Sequence, residues 1–170
     1  MIEVFKRFSK CNKIVNDRMV KVIEEAKINA YDHQLDAYYK NIGEILDHYY
    51  TADINWLISY RTVREFSILK DPVFEKPPHY GVRKFTNIHD FKKGRAELDD
   101  LFIRLTDEIV EEDLNKIVSR INRLGQKQEV VFWKAMMHLF NHHTHHRGQV
   151  SFILDQLKIE NDYSNTVGID

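Results

Sequence analysis

The chain has 170 residues, 43% of them apolar and 30% charged, with six glycines, three prolines and one cysteine. That length suits one domain with its own core, and the lone Cys11 rules out an internal disulfide. Lys plus Arg at 25 nearly cancels Asp plus Glu at 26, and no face or tail is basic without acidic neighbours, which argues against nucleic acid and anionic membrane as partners. Few Gly and Pro residues point to an all-α class. No apolar run nears the roughly 20 residues of a membrane span. The N-terminal "MIEVFKRFSK" lacks the apolar stretch of a secretory signal, so a cytoplasmic location is expected.

The first predicted helix runs from about Glu3 to Ala26. Val4, Phe8, Cys11, Val15, Met19, Val22 and Ile23 recur there at steps of three and four, giving one apolar stripe. A second helix spans about Gln34 to Tyr60, with Ile42, Ile45, Leu46, Tyr49, Ala52 and Trp56 in the same rhythm. The next stretch, 61–90, contains Pro72, Pro77 and Pro78 and reads as a long irregular connection of the kind that often borders a functional site. A third helix starts near Ile88 to Phe91 and continues through Leu114, with Leu98, Leu101, Phe102, Leu105 and Ile109 inward. Ile117, Ser119, Ile121 and Arg123 hint at alternation before Gly125, which predicts a short hairpin or extended loop. The fourth helix covers about Val131 to Leu157, and the polar tail "KIENDYSNTVGID" is either partly disordered or laid across the surface. Four long helices with unequal connections make a four-helix bundle, expected as a single domain over residues 1–170.

Four of the nine histidines crowd into "NHHTHHRGQV", residues 141–150. Helical geometry separates them. Ala135, Leu139, His142, His146, Val150, Ile153 and Leu157 follow at steps of three or four, so His142 and His146 fall on the buried stripe. His143 and His145 point about 100° and 60° away, towards the rim or solvent. Two buried imidazoles need hydrogen-bond partners or a metal, since unpaired buried polar groups cost roughly 1–3 kcal/mol each. An i, i+4 pair is spaced to share one ion. Both readings, a shared metal and a hydrogen-bonded pair, fit the spacing.

A third ligand has to come from another helix, and His48 in "ILDHYYTADINWL" lies between Ile45 and Ala52 on an apolar edge. Taken alone, it reads as a core or rim histidine with one hydrogen bond; opposite an inward pair, it completes a three-nitrogen site with room for water or substrate. His138, one turn before His142, is read as packing against that residue or orienting it. His33, His79 and His89 are read as surface residues. Gln149 alone among its neighbours reaches the edge of such a site, although a helix-surface or interhelical hydrogen bond is the stronger reading. Asp53 is assigned to the neighbouring helix or to Arg147 rather than to the metal, and Cys11 to the core as a small hydrophobe.

"HLFNHHTHHRGQVSFILDQL" and "LDHYYTADINWL" resemble the two signatures of the DinB/YfiT-like metal-binding family, and "FKRFSKCNKIVNDRMV" is similar to its opening helix. The resemblance spans most of the chain. It implies a bundle of up-down-down-up connectivity, a divalent metal on His48, His142 and His146, and a homodimer. Some relatives use the metal to activate a low-molecular-weight thiol such as bacillithiol or mycothiol, and the family is distinct from the similarly named DNA polymerase. Two functions follow as expectations. The first is a metal-dependent enzyme that activates a thiol for S-transfer to a small electrophile, or water for hydrolysis. The alternative is a non-catalytic, stress-related metal- or ligand-binding protein. Zinc is the first choice of metal, with nickel, iron, cobalt and manganese also compatible. Catalytic residues, apart from the metal ligands, are not assigned.

Overall fold

The computed structural model describes residues 1–122 and 124–169. Its long helices are α1 (Ile2–Glu25), α2 (Ile42–Ser59), α3 (Ile88–Glu108) and α5 (Phe132–Gln156), with a one-turn α4 (Glu111–Leu114) and a two-stranded sheet before the last helix. α1 packs along α3, and α5 packs on both α2 and α1. None of the helices is long and apolar enough to cross a membrane.

α1 buries Cys11, Val15, Met19 and Ile23 of the predicted stripe, Cys11 thus lying in the core as expected, and its buried face extends to Phe5, Ser9, Asn12 and Asn16. Val4 and Phe8 are 49% and 41% exposed. Both lie beside a groove between α1 and α5, where Phe8 stacks on Phe140 with ring centroids 5.2 Å apart. α2 begins at Ile42, eight residues later than expected from the apolar rhythm. The Asn41 side chain accepts from the Glu44 N–H at 2.9 Å, and the Glu44 carboxylate accepts from the Lys40 N–H at 2.8 Å, which closes the helix start on both sides.

The proline-broken connection is irregular as expected, with short 3-10 turns at Tyr60–Thr62, Ser67–Lys70 and Pro72–Phe74. Phe66, Ile68, Leu69, Phe74 and Phe85 anchor it in the core. The Asp47 carboxylate accepts from the backbone N–H groups of Lys84 and Phe85, both at 3.1 Å, fastening the end of the connection to α2 one residue from His48. α3 stops at Glu108 rather than continuing to Leu114, because Ile109 and Val110 are extended, with ψ of 133° and 162°. The Asp113 carboxylate then caps α4 by accepting from the Val110 N–H at 3.2 Å.

The hairpin is present. β1 (Ile117–Ile121) pairs antiparallel with β2 (Lys127–Val131), and Gly125, at φ +75°, supplies the left-handed residue of the loop. The alternation has the opposite sense to an apolar-in pattern: Ile117 and Ile121 are exposed, whereas Val118 is buried and shares its face with Arg120. Arg123 lies outside the described residues, as does Asp170. The remaining tail lies across the surface. Tyr163 is buried and donates to the Arg147 carbonyl at 2.9 Å, and Arg18 donates to the Asn165 carbonyl at 2.8 Å.

Candidate metal centre

His48 projects from the middle of α2, and His142 and His146 project from successive turns of α5. Their Nε2 atoms converge, at 3.3 Å for His48 to His142 and 2.9 Å for His146 to His142. One ligand atom from each residue lies within 4.8 Å of the other two, an arrangement that could hold a metal ion. Two imidazole nitrogens each about 2.0–2.1 Å from a tetrahedral zinc are about 3.3 Å apart, so this spacing suits a common cation. Neither His138 nor Cys11 belongs to the group.

His142 and His146 are suited to binding in the neutral form. Burial, followed by the nearness of His146, lowers the His142 pKa to about 3. Burial also dominates at His146, which is lowered to about 4 despite its hydrogen bond to the Gln149 oxygen, which favours the charged form. Metals take neutral imidazole, so protons compete weakly for these two positions. The sign of the consequence for the metal-free protein follows from proton uptake. Unfolded histidine titrates near 6.5. Below that pH the unfolded chain binds protons that folded His142 and His146 refuse, so the stability these groups contribute is complete above about pH 6.5 and is lost as pH falls towards 4. Thermal melts in chelator at pH 7.5, 6 and 5 should show a falling melting temperature; a flat profile would contradict the neutral assignment.

Gln149, three residues beyond His146, accepts from its Nδ1 at 2.7 Å. That bond places the proton on Nδ1 and leaves the Nε2 lone pair directed at the other two rings. Gln149 therefore does not make the interhelical or surface bond favoured by the sequence reading. Gln149→Leu should weaken metal binding by roughly 10–100-fold. A competition titration measures this, and an unchanged affinity would show that the bond does not orient His146. The Nδ1 of His142 is buried and has no hydrogen-bond partner among the described residues.

His143 was expected at the rim and is fully buried. α5 contacts α1 as well as α2, so its inward face is wider than one stripe, and a residue about 100° from His142 still faces protein. The Asn12 amide meets its Nδ1, and its Nε2–H donates to Asp53 Oδ1 at 2.6 Å. Arg95 of α3 donates to the other Asp53 oxygen at 2.5 Å and forms an ion pair with Asp99 at 2.8 Å. Asn16 donates to Asp99, and Tyr49 donates to Asn16 at 2.9 Å. Burial pushes the Asp53 carboxyl up, but His143 and Arg95 outweigh it and hold the group below the usual carboxylate range. Asp53 thus serves neighbouring helices, as expected, but Arg147 is not its partner; Arg147 donates to Asn12 at 2.5 Å. This buried network ties all four long helices together beside the three clustered histidines.

The other histidines lie largely as read. His145 is exposed, as are His33, His79 and His89, the last paired with Glu24 at 2.8 Å. His138 is also on the exposed side, its ring 5.2 Å from that of Trp56 and 6.1 Å from that of His142, so it packs beside the site and does not hydrogen-bond to it. Two cavities flank His48. One, of about 300 Å³, lies towards Tyr39 and Tyr80; the other, of about 440 Å³, lies between α2, α5 and the hairpin.

The fold and site define a mostly helical protein with three histidines, from two helices, that could hold a metal ion. The chain belongs to the DinB family, whose profile matches residues 1–160. It is 23% identical over 152 residues to Protein DinB of Bacillus subtilis (strain 168), covering 85% of this chain and 81% of that protein. A crystal structure of a DinB-like protein from Bacillus cereus ATCC 10987 shares the fold, with a TM-score of 0.62 at 19% identity, over 88% of this chain and 91% of that one.

Proposed function

We propose that the protein is a metal-dependent enzyme in which His48, His142 and His146 hold a divalent cation that activates a low-molecular-weight thiol, or water, for attack on a small electrophile. The observation that carries this is the convergence of three Nε2 atoms beside two cavities, with no fourth ligand in the group among the described residues. Three imidazoles leave a coordination position for an outside molecule, the open arrangement of catalytic sites. Zinc suits this donor set, and a bound cation supplies one chemistry here: it lowers the pKa of a thiol or water molecule so that the anion exists at neutral pH.

The chain's own groups do the rest. Gln149 holds the His146 ring in register, and the rings of Tyr39, from the segment before α2, and Tyr80, from the proline-containing connection, lie 5.5 and 5.6 Å from that of His48. In S-transfer a carbon–sulfur bond forms, the bond from that carbon to its leaving group breaks, and the thiol proton passes to solvent. We further propose up-down-down-up connectivity, a homodimer, a small-molecule substrate, and neither nucleic acid nor membrane as partner.

Cobalt substitution tests the enzymatic reading. Adding a thiol to the cobalt-loaded protein should change the visible spectrum, and an alkyl halide should then yield a thioether detectable by mass. A spectrum that ignores every thiol, with no thioether and no metal-dependent hydrolysis of an activated ester, would leave a non-catalytic metal-binding protein.

A further inference from the structure

The hairpin closes one side of the candidate centre, and its strand pairing brings a cation there. Arg120 follows Val118 on the bundle-facing side of β1, and its cross-strand partner is Gln128. Its guanidinium lies over the Trp56 ring, 3.8 Å from the centroid, in the cavity of about 440 Å³ that His48 and His142 also line. The Nε of Arg120 is buried and has no hydrogen-bond partner among the described residues, and no carboxylate lines this cavity. Asn122 and Gln128 add amide groups to the same wall. A guanidinium offers five donors in a planar fork that matches a carboxylate, and its flat face is held here by the indole beneath it.

We infer that Arg120 is a substrate-binding residue, and that the molecule taken by the site carries a carboxylate which it receives on Arg120 while its reacting end faces His48 and His142. The inference rests on the proposed metal-site function and adds the substrate class. A cavity of this size suits a small molecule. The aromatic ring of Trp56 and the lack of acidic groups in the wall favour a compact anion over a cation or a neutral sugar.

The test compares phenylacetate with its neutral analogue phenylacetamide, by calorimetric titration of the protein as purified and again after chelation. Phenylacetate should bind about ten-fold tighter or more, as expected for a charge-assisted pair. The preference should persist after chelation, disappear in Arg120→Gln and return only in part in Arg120→Lys, which restores the charge without the planar fork. Equal binding of the two probes by the unmodified protein would overturn the inference, and this arm stands even where a variant does not fold. So would a preference that survives Arg120→Gln, or one that vanishes on chelation, which would put the carboxylate on the cation. Metal content, measured separately, bears only on the function proposed above.

Discussion

Replacing His142 by alanine should abolish stable metal binding while leaving a folded protein. The Nε2 of His142 lies 3.3 Å from that of His48 and 2.9 Å from that of His146, so it sits within contact of both other candidate ligand atoms. Its removal leaves two nitrogens from different helices, so the loss of affinity should exceed the roughly 10–100-fold that accompanies loss of an orienting partner. The ring is half-buried and its Nδ1 bonds to nothing among the described residues, so deletion breaks no internal hydrogen bond of that atom. Metal analysis of both proteins after identical purification reads the effect. Equal content would place any cation elsewhere.

The second large effect belongs to Asp53, which makes no contact with the candidate metal position. Its two oxygens hold His143 at 2.6 Å and Arg95 at 2.5 Å, with all three side chains essentially inaccessible. Asp53→Ala leaves a buried guanidinium with Asp99 as its remaining carboxylate and a buried imidazole without its acceptor. Breaking a buried pair from one side costs about 3–5 kcal/mol. At roughly 2–4 °C per kcal/mol for a chain of this size, the melting temperature should fall by about 10 °C. Asp100→Ala is the control. It removes an ion pair with Lys13 of similar length, 2.6 Å, but with side chains 30% and 61% exposed, and such pairs contribute about 1 kcal/mol or less. Denaturant midpoints that moved equally in the two variants would show that the network does not stabilise the fold.

The clustering of the three histidines was legible because its information is local. An i, i+4 pair on one stripe, and one imidazole in an apolar run, can each be placed from spacing alone, and the structure brings those three side chains together. His143 was misplaced by the same rule, because a single inward stripe describes a helix with one neighbour, whereas α5 packs on two long helices as well as the hairpin and α4. Gln149 could have been found by asking which side chain, one turn on, takes the outer nitrogen of His146. The late start of α2 was written in "NIGE", where Asn41 and Glu44 make a capping pair, but the apolar rhythm upstream obscured it. Arg120 was beyond reach, since its meaning depends on a strand register and on a tryptophan 64 positions earlier in the chain. Four helices and the hairpin before the last of them followed from periodicity, while the break at Ile109 and Val110 needed the backbone itself.

The most direct measurement is anomalous diffraction from a crystal of the metal-loaded protein, recorded on either side of the metal's absorption edge. One peak should lie about 2.0–2.1 Å from the Nε2 atoms of His48, His142 and His146, with its remaining coordination facing the cavities. A peak bound elsewhere, or one at this position closed by a fourth protein side chain, would contradict an open three-histidine centre.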